Sequence, residues 1–92
     1  NDPVVGLKVA VLCLQVKRYD DALAILKEIA RAYPGQGRIQ FDIAIAYEQK
    51  GDIDAAIEVL KSIQTEDNEL AAEIKSRLAR LLKEKGQLDQ AI

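Results

Sequence analysis

The segment Gly51-Asp52-Ile53-Asp54-Ala55-Ala56-Ile57 returns 35 residues later as Gly86-Gln87-Leu88-Asp89-Gln90-Ala91-Ile92. An echo of it, Lys17-Arg18-Tyr19-Asp20-Asp21-Ala22-Leu23, precedes it by 34. Self-similarity at such a period marks a repeat array: one supersecondary unit cannot bury its apolar face alone, so copies stack and share a core. Each copy here reads as two helices joined by a turn.

The stretch from Val4 to Lys17 is apolar almost throughout and on periodicity alone could be a buried strand. It is long for a strand, and by repeat it aligns with the helical segments Arg38–Lys50 and Lys75–Lys85, so it is predicted as helix. Asp20, Asp21, Asp52, Asp54 and Asp89 fall where second helices begin, at the positive end of the helix dipole. Lys17, Lys50, Lys83 and Lys85 are expected to close the preceding helices at the negative end. Gly51 and Gly86 offer the left-handed residue that stops a helix and turns the chain, and Lys17 stands in that place at the first turn. Pro34-Gly35-Gln36-Gly37 and Thr65-Glu66-Asp67-Asn68 separate the units. The expected organisation is a single domain, 1–92, with repeats at about 3–36, 37–71 and a truncated 72–92.

The apolar positions keep the same period. Val9, Ala10 and Cys13 become Ile43, Ala44 and Tyr47, then Leu78, Ala79 and Leu82. On the second helices Tyr19, Ala22, Leu26 and Ile29 become Ile53, Ala56, Leu60 and Ile63, and Leu88 and Ala91 begin a third set. Spacings of three and four put each set on one helical face. Ala10, Ala44 and Ala79 against Ala22, Ala56 and Ala91 are the expected close crossings of paired helices, where a larger side chain costs ~1–3 kcal/mol.

These alanines, the Gly51-Asp52 and Gly86-Gln87 turns, and Pro34 closing the first unit resemble the tetratricopeptide repeat family over nearly the whole chain. The chain departs from the family pattern in three ways. Gly6, Gln40 and Lys75 stand where an early aromatic is usual; alanine replaces a usual glycine in the first helices; and Ile29 and Ile63 replace a late alanine in the second. The resemblance implies an all-α fold of antiparallel helix hairpins, stacked as a right-handed α-solenoid of about two and a half repeats.

The chemistry-bearing residues are few. Histidine, tryptophan and methionine are absent, and the carboxylate clusters Asp20/Asp21, Asp52/Asp54 and Glu66/Asp67/Glu69 lie at turns or helix starts, where capping accounts for them. A lone Cys13 makes neither a disulfide nor a metal site and aligns with the packing positions Tyr47 and Leu82. No catalytic residue, metal site or cofactor is expected, and the chain is read as non-enzymatic. A formal charge of −2 gives no general attraction to nucleic acid, and the basic helix Lys75, Arg77, Arg80, Lys83, Lys85 has no interleaved aromatic. The charge is unevenly spread: +1 over 1–36, −5 over 37–71 and +2 over 72–92. No run is long and apolar enough to be read as a membrane span. A start at Asn1 without Met and a stop inside a repeat suggest a piece of a longer protein, and the compartment is left open.

What the resemblance implies about function is a non-catalytic protein-interaction module, a scaffold or adaptor binding a peptide or helix on the concave face of the first helices. The residues placed there are Leu7, Val11 and Leu14 with Val4, then Arg38, Phe41, Ile45 and Glu48, then Arg77, Arg80 and Lys83 with Glu73 and Ser76. The positions matching the family's clamp for an acidic peptide terminus are Leu7, Val11, Asp42, Glu73 and Arg77; only Arg77 suits a carboxylate, so that activity is not expected. The expected groove is apolar at one end, with Phe41 as its aromatic anchor, and basic at the other. The partner is a protein or peptide of unknown identity. The first helix, apolar on every side, admits two readings: one wall of that groove, or a surface covered by a preceding repeat or by a second copy in a homodimer. The alternative function is a structural or self-association appendage of a larger enzyme or envelope-assembly protein.

Overall fold

The computed structural model describes residues 3–90 and is helical in all its regular elements: α1 (Pro3–Gln15), α2 (Tyr19–Ala32), α3 (Gly37–Lys50), α4 (Ile53–Ser62) and α5 (Asn68–Gln90). Helices α1 and α2 form one antiparallel hairpin and α3 and α4 a second, with α5 laid against the second. The molecule measures 45 × 32 × 17 Å, so it is two helices deep.

The hairpin turns form as the sequence requires. Gly51 takes φ 98° and its N–H, with that of Asp52, bonds back to the last carbonyls of α3. The Asp52 carboxylate then accepts the Ala55 N–H at 3.2 Å, capping α4. Lys17, in the glycine's place, is forced to φ 63°, a left-handed conformation that a side chain disfavours. Asp67 caps α5, its carboxylate accepting the N–H groups of Glu69 and Leu70 at 3.0 and 3.3 Å.

The core is two linked clusters. Ala10, Leu23, Leu26, Ile39, Ile43 and Ala46 join the first hairpin to α3. Phe41, Ala44, Ala56, Ile57, Leu60, Leu70, Ile74 and Leu81 join α3, α4 and α5. Tyr47 and Val59 pack against both. The expected close crossings hold in the two complete hairpins, where Ala10, Ala22, Ala44 and Ala56 are fully buried. The departures of the first repeat from the family pattern compensate one another. A Cβ on Gly6 would come within 2.6 Å of Ile29 Cδ1, so the large Ile29 fills the space left by the small Gly6.

The third unit differs from expectation. Gly86 does not end a helix: α5 runs through it to Gln90, and Lys83 and Lys85 lie inside the helix rather than at its close. Gln87 follows Gly86 where Asp52 follows Gly51, so the carboxylate cap is missing, and Ala91 lies outside the described residues. Among the described residues no second helix folds back on α5, and Ala79 and Leu82 are exposed rather than in the core. Val9 is also exposed, because it faces away from α2. Of the residues that stack one unit on the next, the expected core positions included Ile43 and Leu78 but not Leu23, Ile39, Ala46, Ile57, Leu70, Ile74 and Leu81.

Candidate functional site

The first helices of successive units, α3 and α5, stand side by side and are tied by ion pairs. Arg38 Nη1 lies 2.8 Å from Glu73 Oε2. The two residues are 35 apart, one repeat, so equivalent positions on neighbouring first helices face each other. Glu48 takes two partners, Arg77 on one carboxylate oxygen and Arg80 on the other. The basic stripe expected along α5 is thus largely engaged from within. One carboxylate serves two guanidiniums, and Lys83, next along the helix, has no ion-pair partner among the described residues.

Between α3 and α5 a shallow depression of about 640 Å³ is lined by Phe41, Ala72, Glu73, Ser76, Arg77 and Arg80. Phe41 is its floor. The ring is buried in the second cluster, with the Arg38 and Arg77 guanidiniums 5.6 and 5.5 Å from its centroid. This corrects the expectation of an anchor offered to a ligand: Phe41 is a core residue covered by two cations. A sequence reading had one available clue, since Arg38 precedes Phe41 by one helical turn. Ile45 and Glu48 are half-buried, and Arg38, Arg80 and Lys83 are exposed. Ala72, on the rim, was missed; it carries no chemistry and is reached only through the packing of α5.

At the other end, Val4, Leu7, Lys8, Val11 and Leu12 line a second depression of about 460 Å³ on α1, walled by apolar surface. Leu7 and Leu14 are half-buried against the first cluster and Val11 is exposed. Asp42, the residue between the two ends on α3, has its carboxyl pushed above the usual range by burial, an effect Arg38 opposes. Cys13 is half-buried and free.

The family model described as the tetratricopeptide repeat matches the chain over residues 14–76 and 51–92. The chain belongs to the tetratricopeptide repeat family. No curated relative matches it. Tetratricopeptide repeats are in general non-catalytic protein–protein interaction modules, and the partners of such a module are proteins. Among the described residues no helix is long and apolar enough to cross a membrane.

Proposed function

We propose that this tetratricopeptide module is a scaffold or adaptor that holds a partner peptide or helix along the face built by α1, α3 and α5. The observation that carries the reading is the depression between α3 and α5. All six of its lining residues stand on the first helices α3 and α5, Phe41 and Ser76 being one repeat apart, and it has a cationic rim at Arg77 and Arg80. Two guanidiniums sharing Glu48, with Lys83 beyond them, leave that rim with positive charge to offer an acidic segment. The apolar depression at Val4, Leu7 and Val11 offers burial to one or two aliphatic side chains at the opposite end. The ligand is therefore an extended or helical peptide with apolar anchors at one end and acidic residues at the other. Charge at the rim acts mostly on the rate of arrival, and the apolar end on the rate of departure.

The test is a selection of peptides from a random library on the folded 92-residue chain, followed by binding kinetics. Val11→Asp should weaken the selected peptides about tenfold or more, ~1.4 kcal/mol, chiefly through faster dissociation. Arg80→Ala with Lys83→Ala should slow association and flatten its dependence on salt. Binding left unchanged by both, in variants that keep their helical signal, would move the ligand to another face. A second reading, a self-associating structural appendage, draws on the apolar surface of α1.

A further inference from the structure

Neighbouring first helices are joined by charge at one junction and not at the other. Across α3 and α5, Arg38 meets Glu73, and Glu48 takes Arg77 and Arg80. One repeat earlier, Asp42 and Ile45 of α3 stand for Arg77 and Arg80, while Leu7 and Leu14 of α1 stand for Phe41 and Glu48. The step from α5 to α3 thus sets a guanidinium against a carboxylate. The same step from α3 to α1 sets the Asp42 carboxylate toward aliphatic side chains. Leu7 and Leu14 are half-buried, packed against the cluster that holds Ile39 and Ala46 of α3.

Asp42 is itself half-buried, and among the described residues it takes part in no hydrogen bond and no ion pair. Arg38, one helical turn before it, is held by Glu73 at 2.8 Å. Lys8, the charged residue of α1, lines the depression at Val4 and Leu12 and makes no ion pair with it. The carboxylate is nevertheless within reach from outside: among the described residues no sealed side-chain oxygen lacks a partner, so one that has none must touch the surface. Dehydration pushes its carboxyl above the usual range. A charge kept in such surroundings without a partner costs stability, whereas a cation brought to it makes a charge-assisted hydrogen bond about twice as strong as a neutral one.

We infer that Asp42 receives a lysine or arginine side chain of the partner peptide, an assignment that rests on the peptide lying along α1, α3 and α5 as proposed above. The alkyl stem of such a side chain suits the aliphatic surroundings of Leu7, Leu14 and Ile45, and its charged head suits the single anion among them. Asp42 stands on α3, between Val11 on α1 and the Arg77 and Arg80 rim on α5. The order along the ligand is therefore apolar anchors, then a basic residue, then acidic ones. A carboxylate in the middle place is repelled, and a neutral side chain there leaves Asp42 dehydrated and unpaired, so the residue discriminates between ligands as well as holding one.

Selection from a random peptide library on the 92-residue chain, on Asp42→Asn and on Asp42→Lys tests this, with circular dichroism to show that both variants keep the helical content of the unmodified protein. Peptides taken by the unmodified chain should carry a lysine or arginine between their apolar and acidic ends. Those taken by Asp42→Asn should show no preference there, and those taken by Asp42→Lys should carry an acidic residue instead. In one peptide selected on the unmodified chain, replacing the basic residue by norleucine should weaken binding to that chain about tenfold or more, and binding to Asp42→Asn by no more than about twofold, the coupling that a direct pair produces. Peptides that depend on Val11, Arg80 and Lys83 but carry no basic residue, or for which norleucine costs as much on Asp42→Asn, would overturn the assignment and leave the groove standing. Peptides indifferent to Val11→Asp and to Arg80→Ala with Lys83→Ala would overturn the groove and the assignment with it.

Discussion

Helices α3 and α5 occupy the same place in successive repeats and are covered to different extents. α3 is covered on two sides, with Ile39, Ile43 and Ala46 buried beneath α2 and Ala44 buried against α4. α5 keeps the equivalent of the first contact, through Ile74 and Leu81 against α4, but among the described residues no helix covers the second, and Ala79 and Leu82 are exposed. The residue type sets what a position is able to bury, and the neighbouring helix decides whether it is buried. A repeat read off a sequence is therefore a statement about pairs of helices rather than about single ones.

Enlarging the same position in both helices should give the widest separation. Ala44→Leu forces α3 from α4 and should cost ~1–3 kcal/mol, read as a clear fall in melting temperature. Ala79→Leu points into solvent and should stay within ~0.5 kcal/mol of the unmodified chain. Equal costs would mean that in solution α5 is covered on this side as well.

The two turn glycines sharpen the same comparison from the backbone. Gly51 sits at φ 98°, so Gly51→Ala should destabilise by ~1–2 kcal/mol. Gly86 is inside a helix with nothing within 4 Å of an added Cβ, so Gly86→Ala should stabilise by ~0.5–1 kcal/mol in chemical denaturation. Loss of stability at Gly86 would indicate a turn there in solution.

The smallest effect concerns Asp42, which α3 carries where α5 has Arg77. Burial raises its pKa above the ordinary 3.8, so the folded state holds the proton more tightly than the unfolded chain. That contribution is present below the ordinary value and is lost as pH rises through the folded one. Asp42→Asn should accordingly raise the melting temperature slightly at neutral pH, and the gain should vanish in acid below the carboxylate range.

Much of the fold was legible because the period speaks for pairs of positions at once. Gly51-Asp52 gave a turn and a cap together, and Ala10, Ala22, Ala44 and Ala56 are buried where the repeat puts them. The third unit misled because Gly86 resembles Gly51 while lacking the aspartate that caps the following helix. At the candidate site, Arg38, Glu48, Arg77 and Arg80 stand on the first helices α3 and α5. That Glu48 pairs with both Arg77 and Arg80 was less visible, since it reaches back one and two helical turns from Lys83, its repeat equivalent. Phe41 was misjudged for a different reason: an aromatic on a groove position is a ligand anchor only if nothing else of the chain covers it, and here two arginines do.

Tyr47 and Val59 belong to both core clusters, and the Lys27 ammonium lies 5.2 Å from the centre of the Tyr47 ring. A hairpin that melted by itself would strip these side chains of half their neighbours, so the loss is felt on both sides of the junction. In the language of a one-dimensional lattice, these two residues add to the coupling between units that Leu23, Leu26, Ile39, Ile43 and Ala46 carry. Denaturation should then be one cooperative step sensed alike by every probe, and trimming Val59 should lower its midpoint without dividing it.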